Sequence, residues 1–274
     1  MISIVIPTCN RADMLSDCID KFSYSVQQLN KDAYEVIITD DSSDDKTRLL
    51  LEEKYPDIRY VKGPRKGPAS NRNNGAGFAS GEWIMFIDDD CIPSDKIVKS
   101  YLDAIGQNPG IEVFEGLIDA DRPKKHLLEE SPLNLTGGYM WSCNIMLSKN
   151  VFKSLGGFDE NFPFAAMEDV DLRVRVQKIN KKFVFVKDAS VIHPWRFQDK
   201  LIQMTEKRGK SEDYFYKKHP ELLRNKYTFK NDLRFLYKLI KAGFSYGFSG
   251  ASIVIRAYNL DKNIFRKRLK DMNR

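Results

Sequence analysis

The chain has 274 residues, of which 42% are hydrophobic, 12% aromatic and 30% charged. This composition excludes disorder over most of the chain and provides enough apolar side chains for a globular core. The net charge of +6 is unevenly distributed: 25 basic and 31 acidic residues give −6 for residues 1–199, whereas 19 basic and 7 acidic residues give +12 for residues 200–274. Because the four cysteines form no C-x-x-C pair, we expect neither a disulfide scaffold nor a zinc finger, and a cytoplasmic chain is favoured.

The short apolar N-terminus, Ile2–Pro7, has no basic leader and no small-residue cleavage site. It is therefore predicted to be a strand and not an export signal. The candidate for a membrane span, residues 243–255, has 13 residues and is diluted by glycine and serine. It is shorter than the roughly 20 residues that span a bilayer, so no membrane-spanning helix is predicted.

Residues 1–118 alternate β-rich runs with helical patterns, which predicts a parallel sheet with crossover helices. Apolar residues at helical spacing between Met14 and Leu29 predict the first helix. The predicted strands are Ile2–Pro7, Glu35–Asp40, Ile58–Lys62 and Trp83–Ile87, and further helices are predicted at Asp45–Lys54 and Ser70–Ala79. This order is typical of a nucleotide-binding half-domain.

Polar residues follow three of the predicted strands, at 7–11, 40–43 and 88–90. Open sheets of this kind bind ligands at the carboxyl ends of their strands, so these three segments are expected to form one site. Neither G-x-G-x-x-G after the first strand nor G-x-x-x-x-G-K-[ST] occurs, which disfavours dinucleotide and P-loop phosphate binding.

The second part of the chain has a less regular pattern. Residues from about 119 to 148 are predicted to form loops of the lid or binding type. Helices are predicted near Asn150–Leu155 and Met167–Ile179, strands at Phe183–Val186 and Ser190–Ile192, and basic, aromatic-rich helices beyond residue 200.

The strongest chemical signal is the acidic triplet Asp88–Asp90 after the apolar run Trp83–Ile87. Carboxylates crowded at the end of a buried strand repel one another unless a cation lies between them, and a hard divalent ion is the usual solution. The triplet therefore indicates Mg²⁺ or Mn²⁺. A solvated turn that caps the following helix is the alternative.

Five segments together resemble the family 2 glycosyltransferases with the GT-A fold, in order and in spacing. They are Ile4–Arg11, Asp40–Ser43, Gly67–Asn73, Gly81–Asp90, and Gly156–Glu160 with the acidic run that begins at Glu168. The resemblance covers roughly residues 1–195. It implies an α/β fold with a mostly parallel, Rossmann-like half-domain at 1–118, an acceptor-binding and catalytic-base region of the same domain at 119–199, and a basic helical extension at 200–274.

The resemblance also implies roles for individual residues. The implied nucleotide contacts are Pro7, Thr8, Arg11, Asp88 and Asp89, with Asp40 or Asp41 on the base and Arg65 and Arg72 on the phosphate side. The implied metal ligands are Asp88 and Asp90 of the D-x-D motif, with His193 as an additional ligand. Asp169 is the implied general base, with Glu168 beside it, and Trp141, Asn144 and Trp195 are candidates for sugar or acceptor contact.

Each of these residues also has a purely structural interpretation. Acidic residues at a helix start favour the helix dipole, basic residues commonly form a solvated face, and Trp141 and His193 fit a protein core. Ser42 stands where the family commonly has glycine after the paired acids, which leaves Asp40 and Asp41 as alternatives.

The implied activity is metal-dependent, inverting transfer of one sugar from a nucleotide sugar, preferably a uridine diphosphate sugar, to a hydroxyl of a saccharide or lipid-linked glycan. The Gln-x-x-Arg-Trp motif of processive members is absent, which favours single-sugar transfer. The alternative of a nucleotidyltransferase would need a basic phosphate-binding signature after the first strand, and residues 9–12 do not provide one. A non-catalytic basic binding module would leave the acidic motifs unexplained, and no motif that reads nucleic acid is present.

The basic region 200–274 has aromatic residues interleaved with its lysines and arginines. This pattern predicts peripheral contact with an anionic membrane surface on the cytoplasmic side. The alternative is that the aromatics pack these helices onto the catalytic domain and the lysines are solvated. The sequence does not indicate an oligomeric state.

Overall fold

The computed structural model describes residues 1–224 and 227–272, which form two compact units. Unit 1 contains residues 1–121, 132–160 and 168–194. Unit 2 contains residues 122–131, 161–167 and the chain from 195 onward. The two short segments of unit 2 come from the region that was predicted to complete the catalytic domain.

The elements are numbered in chain order over the described residues. The strands are β1 (Ile2–Thr8), β2 (Tyr34–Asp40), β3 (Arg59–Lys62), β4 (Trp83–Ile87), β5 (Ile92–Pro93), β6 (Val113–Ala120), β7 (Glu129–Glu130), β8 (Asn144–Ser148), β9 (Val184–His193) and β10 (Arg196–Phe197). The helices are α1 (Ala12–Asp20), α2 (Tyr24–Gln27), α3 (Lys46–Lys54), α4 (Pro68–Gly77), α5 (Ile97–Gln107), α6 (Lys149–Ser154), α7 (Glu168–Lys178), α8 (Leu201–Lys218), α9 (Phe229–Tyr246) and α10 (Ala251–Met272).

The main sheet of unit 1 has eight strands in the order β3-β2-β1-β4-β8-β6-β9-β5. β1 pairs in parallel with β2 and β4, and the pairs β2–β3 and β6–β9 are also parallel. β8 runs antiparallel to both of its neighbours, and β5 runs antiparallel to β9. The predicted parallel half-sheet and the α/β class are thus confirmed.

The core of unit 1 lies on both faces of this sheet. Successive side chains of a strand point to opposite faces, so a strand covered on both sides is apolar throughout. In β1, Ile4 and Ile6 enter one apolar cluster and Val5 enters the other; in β4, Met85 and Phe86 divide in the same way. Burial on both faces holds β1 and β4 in place, and the polar segments of the predicted site follow the ends of these strands.

The structure differs from the sequence prediction in several elements, and α5 and β6 were not among the predicted helices and strands. The single helix predicted between Met14 and Leu29 is two helices, because α1 ends at Asp20 and the Ser23 hydroxyl accepts the Val26 N–H to start α2. Residues 144–148, predicted as loop, form the buried strand β8. The two predicted strands at 183–192 are one strand, β9, which continues across a register shift opposite Gly116 and Leu117.

Unit 2 contains α8, α9 and α10 and the small antiparallel sheet β7–β10, which confirms the predicted helical C-terminal region. The buried Arg268 of α10 joins α8: it donates to Asp213 Oδ1 at 2.6 Å, to Glu212 Oε2 at 3.0 Å and to the Gly209 carbonyl oxygen at 3.1 Å. Within 1–224 and 227–272, no helix has the combined length and hydropathy of a membrane span.

Candidate active site

The carboxyl ends of β2, β1 and β4 lie side by side, and their polar residues meet there. Thr8 Oγ1 donates to Asp89 Oδ2 at 2.7 Å, and the Asp41 N–H donates to the Thr8 carbonyl at 2.9 Å. From α4, the Asn71 amide donates to the carbonyl oxygens of Thr8 (3.2 Å) and Thr39 (2.9 Å). The structure therefore brings the three predicted segments into one cluster.

The three carboxylates of the acidic triplet have different partners. Asp88 Oδ1 accepts from Arg72 Nη2 at 2.6 Å, and Asp89 Oδ1 accepts from Arg11 Nη1 at 2.9 Å. Burial raises the pKa of Asp89 to about 6, although Arg11 and the Thr8 hydroxyl favour its charged form. Asp89 and Asp90 are only 3% and 4% exposed, so this segment is a buried ionic cluster and not a solvated turn.

Asp90 faces His193, which ends β9 and is 1% exposed. The distance from Asp90 Oδ1 to His193 Nε2 is 3.6 Å. His193 Nδ1 lies 2.9 Å from the Pro194 carbonyl oxygen, and because a carbonyl can only accept, Nδ1 carries the proton. Nε2 then faces Asp90, and in many metal-binding histidines the nitrogen opposite a backbone hydrogen bond is the one that binds the metal. With Cys91 Sγ, the ligand atoms of these residues lie within 4.8 Å of one another.

Arg72, on α4, connects the acidic triplet to the start of α7. Its Nη1 lies 3.7 Å from Glu168 Oε1, while Nη2 binds Asp88. Burial alone lowers the pKa of a guanidinium, but the charges of Asp88 and Glu168 reverse this and raise the pKa of Arg72. Arg72 is 5% exposed and its guanidinium lies 5.6 Å from the centroid of the Phe158 ring. It is a fixed cation between two carboxylates.

Glu168 and Asp169 begin α7, and the two side chains differ in exposure. Glu168 is buried, and burial together with the neighbouring Asp169 raises its pKa to about 7. Glu168 Oε2 has no hydrogen-bond partner among the residues that the structure describes. Asp169 is half-buried, its Oδ1 accepts the Val170 N–H at 2.8 Å, and loss of water around its carboxyl raises its pKa. Both carboxylates are therefore stronger proton acceptors than in water.

Two segments that are distant in sequence meet beside Arg72. The Asn73 amide donates to the Phe158 carbonyl oxygen, and its Oδ1 accepts the Phe158 N–H, both at 2.8 Å. Gly157 has φ 73°, and a Cβ added there would lie 2.5 Å from Asn73 Oδ1. The glycine pair at 156–157 thus allows close contact between this turn and α4, which holds Arg72 in place.

The segment after β2 forms a compact turn. Asp40 is buried, and its Oδ1 accepts both the backbone N–H (2.9 Å) and the hydroxyl of Ser42. Asp41 Oδ1 accepts the Arg65 N–H at 2.8 Å, and Arg65 Nη2 donates to the Ser42 carbonyl at 2.8 Å. Asp40 therefore builds the turn, and Asp41 is the more accessible acid. A cleft of about 270 Å³ lies beside it, lined by Ser42, Ser43, Asp44, Asp45, Arg48, Tyr60, Lys62 and Arg65.

Comparison with known proteins identifies the family. The family model for Glycosyl transferase family 2 matches residues 3–155, which is more than half of the chain. The chain belongs to this family. An uncharacterized glycosyltransferase of Haemophilus influenzae is 30% identical over 193 residues, which cover 64% of this chain and 62% of that protein.

Two further relatives of this family 2 chain are named for their acceptors. The poly(ribitol-phosphate) beta-glucosyltransferase of Bacillus spizizenii is 37% identical over 106 residues, or 36% of this chain and 16% of that protein. The GalNAc(5)-diNAcBac-PP-undecaprenol beta-1,3-glucosyltransferase of Campylobacter jejuni is 32% identical over 111 residues, which cover 39% of this chain and 33% of that protein. The matches to these relatives span less than two thirds of their lengths.

Solved structures share the fold. The mannosyltransferase PcManGT from Pyrobaculum calidifontis, solved with GDP-Man and Mn²⁺, aligns with a TM-score of 0.62 at 15% identity over 98% of this chain and 74% of that one. Residues 1–349 of Staphylococcus aureus TarS align with a TM-score of 0.55 at 14% identity. The alignment covers 99% of this chain and 91% of the TarS fragment. These likenesses confirm the GT-A fold predicted for this family 2 chain.

The residues predicted to contact sugar or acceptor lie in different settings. Asn144 is fully buried: its Oδ1 accepts the Tyr101 hydroxyl at 2.7 Å, and its amide donates to the carbonyls of Leu117 and Ala189 at 2.9 Å. These bonds hold β8 between its neighbours and account for Asn144 without a ligand. Trp195 belongs to unit 2, where its indole N–H donates to the Arg122 carbonyl at 2.7 Å. Pro7, a predicted nucleotide contact, is buried within β1.

The loop before β8 carries an aromatic pair that the sequence did not fully reveal. Trp141 is half-buried against the core and stacks on Tyr139 at 5.5 Å between ring centroids. Tyr139 is 44% exposed and was not predicted as a site residue. An exposed ring supported from behind can pack against the apolar face of a sugar.

Glu115 of β6 holds this loop and was also missed. Its carboxylate accepts the backbone N–H groups of Gly138, Tyr139 (3.1 Å) and Met140 (2.8 Å) and the amide of Asn134 (3.0 Å). Glu115 is 1% exposed. A single acidic residue within an apolar strand run is the sequence signal that indicates such a buried acceptor.

Proposed function

We propose that this chain is a metal-dependent, inverting glycosyltransferase that transfers one sugar from a nucleotide sugar to a hydroxyl of a saccharide or lipid-linked glycan. The observation that supports it is the linked cluster at the strand ends, in which Arg72 joins Asp88 to Glu168 and Asp90 faces His193. Such a cluster is expected in a family 2 chain that binds a diphosphate and deprotonates a hydroxyl. A uridine diphosphate sugar is the donor that we propose.

The side chains at β4 and β9 fit a divalent ion. Asp90 and His193 supply a carboxylate and an imidazole, a set that suits Mn²⁺ better than Mg²⁺, which prefers oxygen ligands alone. Asp88 is the second proposed ligand of the D-x-D pair. When bound, the ion stabilises as a Lewis acid the negative charge on the departing diphosphate. PcManGT, which shares the fold, was solved with Mn²⁺.

The proposed nucleotide contacts surround this cluster. The Arg11 side chain is 44% exposed while it pairs with Asp89, so its guanidinium can also contact a phosphate. Asp41 is proposed to hydrogen-bond the nucleotide base, because the Asp40 carboxylate already accepts hydrogen bonds from Ser42. Thr8, Arg65, Arg72 and Asp89 complete the proposed nucleotide-binding set.

Asp169 is the proposed general base. As the acceptor oxygen attacks the anomeric carbon, its proton passes to the Asp169 carboxylate, the bond from that carbon to the phosphate oxygen breaks, and the diphosphate leaves with the electron pair. Attack from the face opposite the leaving group inverts the carbon and needs no covalent intermediate. Glu168 is buried against Arg72 and positions the start of α7.

The acceptor is proposed from chemistry and from relatives. The Campylobacter jejuni relative is named for an undecaprenol-linked saccharide and the Bacillus spizizenii relative for poly(ribitol-phosphate). We therefore propose a saccharide or lipid-linked glycan as the acceptor, at the cytoplasmic face of a membrane that residues 200–274 contact peripherally. The exposed Tyr139, supported by Trp141, is the proposed platform for the sugar.

The decisive experiment identifies the products. The chain is incubated with Mn²⁺, UDP- and GDP-sugars, and soluble and lipid-linked saccharide acceptors, and products are separated by chromatography and mass spectrometry. Glycosyl transfer releases a nucleoside diphosphate and adds one sugar to the acceptor. Release of a sugar 1-phosphate with a nucleotidylated acceptor would instead identify a nucleotidyltransferase.

Asp169→Asn tests the proposed base. The amide fills the same space but cannot accept a proton, so turnover is expected to fall by about 10²- to 10⁴-fold. Binding of UDP with Mn²⁺, measured by calorimetry, is expected to stay unchanged. Glu168→Gln is the matched comparison: near-normal turnover in Asp169→Asn together with collapse in Glu168→Gln would assign the base to Glu168.

A further inference from the structure

The outward face of α9 carries a stripe of exposed apolar side chains. Phe229, Tyr237 and Phe244 are 78%, 66% and 82% exposed. Exposed leucines and an isoleucine lie between them; the stripe comprises Phe229, Leu233, Leu236, Tyr237, Ile240 and Phe244. At 3.6 residues per turn these six positions fall within an arc of about 100°. Exposed apolar residues on an ordinary soluble surface are scattered singly, whereas these six form one continuous apolar surface.

A row of basic side chains runs beside this stripe. Lys230, Arg234, Lys238 and Lys241 are all exposed and occupy the adjoining arc of about 80°. The single acidic residue of α9, Asp232, faces the other way and binds Lys262 and the Tyr258 hydroxyl, both at 2.6 Å. The outward face of α9 is therefore apolar and cationic, with no acidic side chain on it.

The inward face of α9 packs within unit 2 without help from the stripe. Phe235 stacks on Tyr258 at 3.7 Å between ring centroids, and Leu239 is 8% exposed. Gly243 is buried against Phe248. The opposite face of α9 supplies these buried contacts. Phe244, whose ring centroid lies 5.7 Å from that of Phe248, is still 82% exposed, so the apolar stripe faces solvent among the described residues of unit 2.

We propose that α9 lies in the plane of an anionic lipid surface, with the stripe among the acyl chains and the basic row at the phosphate groups. An amphipathic helix with an apolar arc, a lysine- and arginine-rich arc and aromatic residues has the composition of an interfacial helix. Its 18 residues extend about 27 Å along the surface. The one-sided positive charge favours phospholipid headgroups over an uncharged partner surface.

This inference narrows the membrane contact proposed for residues 200–274 to one helix face. It rests on that part of the proposed function and not on the transferase activity, because lipid binding is measured without donor or acceptor. Failure of lipid binding would leave the product assay with soluble acceptors unaffected. Failure of that assay would likewise leave lipid binding intact.

The test compares three triple variants of the full chain by sedimentation with vesicles of phosphatidylcholine alone or with phosphatidylglycerol. The apolar variant is Leu236→Ser, Ile240→Ser and Phe244→Ser. The basic variant is Arg234→Gln, Lys238→Gln and Lys241→Gln. The control, Arg266→Gln, Lys267→Gln and Lys270→Gln, removes the same charge from exposed positions of α10.

The wild-type chain is expected to bind phosphatidylglycerol vesicles and to be released by salt. The apolar variant is expected to bind at least about tenfold more weakly, the basic variant to lose the preference for anionic lipid, and the control to bind like wild type. Binding to vesicles is expected to slow amide hydrogen exchange in α9 and to leave exchange in α8 unchanged.

Three outcomes would overturn the proposal. The first is absence of vesicle binding by the wild-type chain. The second is a loss of vesicle binding in the α10 control equal to that in the basic variant, which would indicate non-specific attraction between the basic chain and the anionic lipid. The third is unchanged vesicle binding by the apolar variant together with a change of oligomeric state by light scattering. That result would identify the stripe as an interface between copies of the chain.

Discussion

At the scale of single residues, the proposed metal-assisted binding is expected to depend on Asp90, whose buried carboxylate faces His193 Nε2 at 3.6 Å. Asp90→Ala is expected to abolish the gain in UDP affinity that Mn²⁺ provides. Loss of a supporting partner alone typically costs about 10- to 100-fold in metal affinity, so loss of a direct ligand is expected to cost at least about 100-fold. Isothermal titration calorimetry with and without Mn²⁺ measures this.

Asp95→Ala provides the control for this variant. Asp95 follows the triplet closely but is exposed and pairs with Lys21 at 3.0 Å. It is expected to leave Mn²⁺-assisted binding unchanged. A normal Mn²⁺ effect in Asp90→Ala would exclude Asp90 as a ligand.

Glu168 links the site to folding stability. Its pKa rises from the usual 4.5 to about 7, so between these values the folded chain holds a proton that the unfolded chain has lost. Stability therefore falls as pH rises through this interval. Glu168→Gln keeps the shape without the charge, and it is expected to raise the free energy of unfolding above about pH 7 by at most about 3 kcal/mol.

Urea unfolding of wild type and Glu168→Gln at about pH 5 and about pH 8 measures the effect, since the difference is expected at the higher pH only. The physical reason is burial of the carboxyl next to Asp169, which Arg72 only partly offsets. A variant that is less stable than wild type at the higher pH would show that Arg72 requires an ionised partner at this position.

At the scale of elements, the loop before β8 depends on Glu115. Three backbone N–H groups and one amide point at its carboxylate, so Glu115→Gln places an amide donor against other donors. We expect a loss of about 1–3 kcal/mol and faster hydrogen exchange at residues 137–141. If Tyr139 supports the acceptor sugar, the KM for the acceptor is expected to rise while the Kd for UDP stays unchanged.

Glu112→Gln is the control for the loop. Glu112 precedes β6 but binds Lys181 and the Ser148 hydroxyl, away from residues 137–141. It is expected to leave exchange in the loop unchanged. Unchanged exchange at 137–141 in Glu115→Gln would show that the loop keeps its conformation without the carboxylate.

The elements also show what a sequence can indicate. β1, β2 and β4 were predicted because an apolar run followed by polar residues is a local pattern, and parallel pairing brings their ends together without further information. β8 was missed because its apolar run has only three residues, 145–147, between the polar Asn144 and Ser148. Its position depends on both neighbouring strands, which are remote in sequence.

The site residues follow the same rule. The position of Asp88 and Asp90 at the end of β4 could be predicted from the apolar run before them, whereas the structural bonds of Asn144 depend on Leu117 and Ala189, which no local pattern identifies. The role of Glu115 likewise arises from contacts with residues 134–140. Tertiary partners, and not residue types, decide which polar side chains build the fold and which face a ligand.

At the scale of the whole molecule, charge follows the two units closely. The −6 of residues 1–199 belongs to the region that contains the acidic cluster, and the +12 of residues 200–274 belongs to unit 2. A negative site needs a cation to bind a diphosphate, whereas a positive helical unit is attracted to anionic surfaces. This division agrees with the proposal that unit 1 carries the chemistry and that unit 2 docks on an anionic surface.

The two units each have their own interior, so a lesion in unit 2 is expected to leave nucleotide binding intact. Arg268 is the test position, because it is 5% exposed and satisfies Glu212 and Asp213 on α8. Arg268→Met leaves Glu212 buried without this cation, and breaking a buried pair in this way typically costs about 3–5 kcal/mol. Hydrogen exchange is expected to accelerate in α8 and α10 and to stay slow in β1 and β4.

Mn²⁺-assisted UDP binding is expected to keep its affinity in Arg268→Met. Arg266→Met, at an exposed position of the same helix, serves as the control. If Arg268→Met weakened UDP binding in proportion to the lost stability, the two units would fold as one cooperative body, and docking and chemistry could not be separated by mutation.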